Sequence, residues 1–230
     1  MKRVLVLNPN SSTKVTEHLR SFLETIKSAD TQLKVVNIQE GPTSIESHYD
    51  IALAVPEIIK IVSEMYEEFD SVFLACFADP GLEVLREILD KPVIGAMESS
   101  IYVACMLGER FSIIAINQER AKAKWRYVRS LGLEERMVSV EAIDMSVLEM
   151  EENPSKTIKK AVEAAMIAKS KGADVVILGC ASMAGYSKII QEKAEVCVID
   201  PIMIGYRLTE ALTGMNLMPK SKKLKFLSTK

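Results

Sequence analysis

Apolar residues in this chain cluster in short unbroken runs, and longer stretches between them repeat with a period near 3.6. The runs fall at residues 3–7, 33–37, 71–75, 92–95, 111–116, 138–142, 174–178 and 196–199. They are rich in Val and Ile and lack polar alternation, which predicts strands covered on both faces. The intervening pattern predicts helices over 12–28, 51–68, 81–89, 99–107, 119–130, 154–171, 184–193 and 201–212. Asp79-Pro80 and Asn153-Pro154 read as helix N-cap followed by first helical residue, and Gly172 as a C-cap. Strand and helix alternate from end to end, so the predicted class is α/β with parallel sheets and helices on both faces.

One segment occurs twice. Asp70-Ser71-Val72-Phe73-Leu74-Ala75-Cys76 and Asp174-Val175-Val176-Ile177-Leu178-Gly179-Cys180 share an acidic residue, an apolar strand and a cysteine just past the strand. No Pro/Gly/Ser-rich linker divides the chain, so the duplication defines the expected lobes. Residues 1–97 with 206–230 form one and 98–205 the other, two equivalent α/β lobes facing one site. Ligands of open parallel sheets bind beyond the carboxyl ends of strands. That rule gathers Asn8-Pro9-Asn10-Ser11-Ser12, Cys76-Phe77-Ala78-Asp79, Glu98-Ser99, Asn117 and Cys180-Ala181-Ser182 as candidates.

Composition narrows the chemistry. The 230 residues are 48% hydrophobic and 26% charged with a net charge of −2, ordinary for a globular protein and without the basic field that nucleic acid or an acidic membrane surface would require. The apolar run before Asn8 is too short for a signal core or a membrane span, so a cytoplasmic location is expected. Cysteines 76, 105, 180 and 197 show no CxxC spacing, and His18 and His48 are the only histidines. Free thiols and no metal site are the expectation, and no Gly-rich phosphate loop precedes a helix. The lysine-rich segment from Pro219 to Lys230 reads as a solvated end.

Most free cysteines are small buried hydrophobes, and Cys105, within a helix, and Cys197, within a strand, fit that role. Cys76 and Cys180 instead end strands and precede helix starts, where free N–H groups favour a thiolate. A thiol with a reference pKa of about 8.5 serves as acid or base with modest tuning. One thiolate removes a proton from a carbon beside a carbonyl, and a thiol on the other face returns one. N–H donors must then meet the developing enolate oxygen. Two such groups, with no cofactor, make a complete racemase or epimerase.

These residues resemble a known family. Asn8-Pro9-Asn10-Ser11-Ser12, Ser44-Ile45-Glu46-Ser47-His48-Tyr49-Asp50, Cys76-Phe77-Ala78-Asp79-Pro80-Gly81-Leu82 and Leu178-Gly179-Cys180-Ala181-Ser182-Met183 are similar to the hydantoin and allantoin racemase branch of the aspartate/glutamate racemase superfamily, over nearly the whole chain. The resemblance implies two pseudo-symmetric Rossmann-like lobes with the site in the cleft between them, and cofactor-independent, two-base racemisation by Cys76 and Cys180. It also implies substrate contacts from Asn10, from Phe77, Ala78, Asp79 and Gly81, and from Ala181 and Ser182, with Asn117 lining the same site. It implies a small-molecule substrate and a homo-oligomer. Relatives often carry Gly or Ser where Ala78 stands and Gly where Ser182 stands, and many have a threonine that the segment Ala115-Ile116-Asn117 lacks.

The amide of Asn10 suits a neutral, amide-rich ring, because it donates and accepts; Asn8, Asn10 and Ser12 also fit a turn and helix cap. Asp79 reads as a plain N-cap, Ser182 as either a cap or a ligand contact, His48 as a loop residue or a site-edge donor. The expected activity is inversion of C5 in a 5-substituted hydantoin or allantoin. The alternatives are an acidic amino-acid racemase, a maleate-type isomerase with one cysteine as covalent nucleophile, and a non-catalytic small-ligand binding protein.

Overall fold

The chain starts directly in strand β1 (Lys2–Asn8), where Val4, Leu5, Val6 and Leu7 are at most 1% exposed. This burial on both faces is why the run shows no polar alternation. The computed structural model describes residues 1–217 and 219; apart from Pro219 the lysine-rich tail lies outside the described residues. The order continues α1 (Thr13–Ile26), β2 (Thr31–Asn37), α2 (His48–Glu64), β3 (Ser71–Leu74), α3 (Leu82–Ile88), β4 (Val93–Gly95), α4 (Ala96–Leu107), β5 (Phe111–Ala115), α5 (Gln118–Ser130), β6 (Met137–Ala142), α6 (Val147–Glu152), α7 (Pro154–Ser170), β7 (Val175–Leu178), α8 (Ser187–Ala194), β8 (Cys197–Ile199) and α9 (Pro201–Gly214).

The chain divides into two units, Met1–Glu98 with the segment from Gly205 onward, and Ser99–Ile204. Both boundaries fall inside helices, α4 and α9. The first unit holds a four-stranded parallel sheet in the order β2-β1-β3-β4, and the second repeats it as β6-β5-β7-β8. The duplicated segments are therefore β3 and β7, each beside the first strand of its own sheet.

The repeated acid anchors that pairing. Asp70 accepts the N–H of Arg3 at 2.8 Å and its Nε at 3.1 Å, and the Arg3 guanidinium holds the Asp70 carboxyl below its usual range. Asp174 accepts the N–H groups of Glu109 and Arg110 at 3.0 and 2.9 Å. Each aspartate also donates its own N–H to the neighbouring strand, Asp70 to the Arg3 carbonyl and Asp174 to the Arg110 carbonyl. The acids thus fix the starts of β1 and β5.

Local signals explain where observed ends differ from expected ones. Helix α2 begins at His48 rather than Ile51 because Ser47 and Asp50 form a reciprocal capping box. Helix α8 begins at Ser187, after a single 3₁₀ turn over Ala181–Met183. Helix α6, capped by Ser146 at 3.1 Å, is too short to show a helical period and was not anticipated. Gly172 closes α7 as expected, with Ala173 N–H donating to the Ala168 carbonyl. Asn153-Pro154 opens it, although the Asn153 side chain makes no cap bond and donates instead to the Glu149 carbonyl.

Candidate active site

Both repeated strands end in the same backbone device. The Asp79 N–H donates to the Cys76 carbonyl at 3.0 Å, and the Met183 N–H donates to the Cys180 carbonyl at 3.2 Å. Each cysteine therefore opens a tight turn beyond the carboxyl end of its strand. Cys76 is partly buried and Cys180 is 8% exposed. Inside a turn the middle N–H groups have no internal acceptor. Among the described residues, no hydrogen bond uses the N–H of Ala78 in the first turn or of Ala181 and Ser182 in the second. Ala78, Gly81 and Ala181 are partly exposed, whereas Phe77 is 2% exposed. Cys105 lies within α4 and Cys197 within β8, neither beyond a strand's carboxyl end, and burial pushes both thiols up, against the pull of Arg136 on Cys105.

In the first unit Asn10 stands past β1, next to the β3 turn by strand order. The Asn10 Oδ1 accepts the Ser12 N–H at 3.0 Å and the Asn8 Nδ2 at 2.9 Å. Asn8 Nδ2 also donates to Thr16 Oγ1 at 3.0 Å. Ser12 caps α1 through the Val15 N–H. Both lone pairs of the Asn10 oxygen are thus engaged, while its Nδ2 makes no hydrogen bond among the described residues. What remains to Asn10 is a donor on a side chain only 6% exposed. The dual donor–acceptor role expected from its residue type is reduced to one half, because Asn8 and the helix cap take the other.

Asp79 departs from expectation. It does not cap α3, whose N-cap is Gly81. Its backbone is left-handed, φ 44°, and its carboxylate accepts the N–H groups of Met97 and Glu98 at 2.9 and 2.8 Å. It caps α4, eighteen residues away, and so ties the Cys76 turn to the end of β4. Gly95 makes the room: a Cβ there would stand 2.4 Å from the Asp79 carboxylate. Replacing Asp79 with alanine strands two N–H groups and is expected to cost about 2 kcal/mol. That lowers Tm by about 4–8 °C for a chain of this size; an unchanged melting curve would refute the cap.

Asp200 is the counterpart that sequence reasoning missed. Its Oδ1 accepts the Ile202 and Met203 N–H groups at 2.9 and 3.2 Å, capping α9, and its Oδ2 accepts the Gly185 N–H at 2.6 Å, tying down the segment after the Cys180 turn. The signal was present in Asp200-Pro201, the same N-cap and first-residue pair read at Asp79-Pro80. In the same unit Asn117 caps α5, its Oδ1 accepting the Arg120 N–H at 2.9 Å. Ser182 caps nothing: it is 1% exposed and its hydroxyl has no partner among the described residues. His48 is exposed on the first turn of α2, and Glu98 pairs with Arg86 at 3.0 Å.

Within the first unit, then, Asn10, Cys76, Phe77, Ala78, Asp79 and Gly81 follow the carboxyl ends of the paired strands β1 and β3. Within the second, Asn117, Cys180, Ala181 and Ser182 follow the paired strands β5 and β7. Among the described residues no three His, Cys, Asp or Glu side chains gather as metal ligands, and no helix is long and apolar enough to cross a membrane.

Each of the two four-stranded parallel sheets is thus followed by one cysteine turn, and comparison with known proteins gives the class. The chain belongs to the Asp/Glu/Hydantoin racemase family, which it matches over residues 4–209, and its enzyme class is isomerase. It is 34% identical to the hydantoin racemase of Pseudomonas sp. (strain NS671), over 97% of this chain and 90% of that one. It is 32% identical to the hydantoin racemase of Paenarthrobacter aurescens, over 93% and 92%. Among solved structures it is similar to the allantoin racemase from Klebsiella pneumoniae, with a TM-score of 0.91 and 28% identity over 96% of this chain and 91% of that one.

Proposed function

We propose that this racemase inverts C5 of a 5-substituted hydantoin or of allantoin, with Cys76 and Cys180 as the acid–base pair. The observation that carries the reading is the matched pair of turns, each with a cysteine carbonyl closed onto the third residue and N–H groups left over. The relatives named above support the substrate class.

In the proposed step one cysteine, as thiolate, takes the C5 proton. The C–H electron pair moves into the adjacent carbonyl, giving an enolate. The other cysteine, as thiol, delivers its proton to the opposite face of C5. One sulfur ends protonated and the other deprotonated, so the pair is ready for the reverse enantiomer, and no redox partner or cofactor is consumed. The N–H groups of Ala78, Ala181 and Ser182 are the candidate donors to the enolate oxygen. The Asn10 Nδ2 is left to donate to a ring carbonyl. Phe77, Asp79, Gly81 and Asn117 shape the turns and caps that carry these groups. The reading requires both thiols to reach one substrate. It takes the protein as cytoplasmic, on the sequence pattern, and as a homo-oligomer, on the family resemblance.

The test is exchange in D2O. A single enantiomer of a 5-substituted hydantoin is expected to lose optical rotation while its C5 hydrogen is replaced by deuterium. Turnover of aspartate or glutamate with no hydantoin turnover would move the protein to the amino-acid branch, and binding without exchange would overturn the enzymatic reading.

A further inference from the structure

Three buried side-chain oxygens lack a hydrogen-bond partner among the described residues, those of Thr31, Ser182 and Tyr206; Thr31 and Tyr206 face the Glu210 carboxylate, and Ser182 does not. Buried serines elsewhere find partners: Ser112 and Ser139 bond each other at 3.0 Å, and Ser71 accepts from Thr213 at 2.7 Å. Exposed or half-exposed ones cap helices, as Ser12, Ser47 and Ser146 do. Ser182 is 1% exposed, caps nothing, and its Oγ meets no donor or acceptor among the described residues. A buried hydroxyl in that state is unfavourable, and a ligand group that pairs with it would relieve the cost.

Its position narrows what that partner is. Ser182 is the second residue of the 3₁₀ turn that follows Cys180, and its own N–H makes no hydrogen bond among the described residues. A single residue thus holds an open N–H donor beside a hydroxyl that can accept. Two adjacent ring atoms of a hydantoin present the complementary pair, because a five-membered ring holds its amide cis, with C=O and N–H on one edge. An amino-acid carboxylate offers acceptors only.

Resting on the function proposed above, we infer that Ser182 is a substrate-specificity residue. Its N–H donates to the carbonyl beside C5, and its Oγ accepts a hydrogen bond from the adjacent imide N–H of the ring. The N–H serves the developing enolate and the hydroxyl reads the cyclic imide. The two roles separate experimentally, because only the hydroxyl is lost on substitution.

The experiment compares wild type with Ser182→Ala on a 5-substituted hydantoin and on its analogue methylated at the imide nitrogen, with melting curves for both proteins. Ser182→Gly, which also lacks the hydroxyl and adds no bulk, is run in parallel. The expected result is a loss of about tenfold in kcat/KM on the parent hydantoin for either variant. On the methylated analogue little further loss is expected, since that contact is already gone. The alanine variant should melt no lower than wild type, because the unpartnered hydroxyl has been removed. Unchanged kcat/KM on the parent, or equal losses on both substrates, overturns the inference. If wild type itself turns over no hydantoin, the proposed function falls and takes this inference with it; the wild-type arm tells the two failures apart.

Discussion

Replacing either Cys76 or Cys180 with serine is expected to lower racemisation by about 10²–10⁴-fold, the usual contribution of a positioned acid or base. Serine keeps the volume and the turn but raises the pKa far above that of a thiol, so proton removal at neutral pH stops. The two variants should fail differently. Inversion needs a base on one face and an acid on the other, so each variant loses inversion in both directions. The remaining thiolate can still take a proton from the one enantiomer it faces and return it on the same side. Slow deuterium incorporation with retention, into opposite enantiomers for the two variants, is therefore the signature to measure by chiral chromatography and mass spectrometry. Full racemisation by either variant would end the two-base assignment. Cys105→Ser and Cys197→Ser serve as controls; these thiols are held neutral by burial and should leave the rate within about twofold.

The largest structural effect is expected at Gly179. It occupies the place in the second repeat that Ala75 holds in the first, one residue before the cysteine. Both donate their N–H across to the first strand of their sheet, Ala75 to the Leu7 carbonyl and Gly179 to the Ile114 carbonyl, at 3.0 and 2.8 Å. Yet a Cβ built on Gly179 would lie 2.1 Å from that same Ile114 oxygen. The obstacle is backbone in the middle of a sheet, which cannot step aside as a side chain would. Gly179→Ala is expected to cost about 3 kcal/mol, or about 6–12 °C in Tm, and to displace Cys180 with it. The reciprocal change, Ala75→Gly, should cost only about 1 kcal/mol through added backbone freedom. Equal melting of the two variants would show that the repeats are closer in geometry than the Ile114 contact indicates.

The eight strands, their parallel arrangement and the repeat were legible from the sequence because each depends on local information. A short apolar run such as residues 71–75, preceded by Asp70 and too short for a helix, reads as a buried strand, and strands separated by helices cross over to run parallel. The candidate cysteines were legible for the same reason, since a strand end is a local landmark. The short helix α6 escaped because six residues, Val147–Glu152, carry too little of a 3.6 period to register.

What sequence alone determined about this protein is its α/β class, the two cysteine-bearing repeats and the family they resemble. Tertiary structure decided what the polar residues around those cysteines do. Asp79 looked like the cap of the helix next to it and instead caps α4, because its left-handed backbone turns the carboxylate toward the end of β4, where Gly95 leaves space. Asn10 looked like a donor and acceptor and keeps only its donor, because Asn8 and Ser12 claim its oxygen. Ser182 looked like either a cap or a ligand contact; it caps nothing, and its buried hydroxyl has no partner among the described residues. Hydrophobic periodicity is written residue by residue, but a hydrogen bond needs two groups within about 3 Å, and which groups meet is settled only when the sheet brings distant segments together.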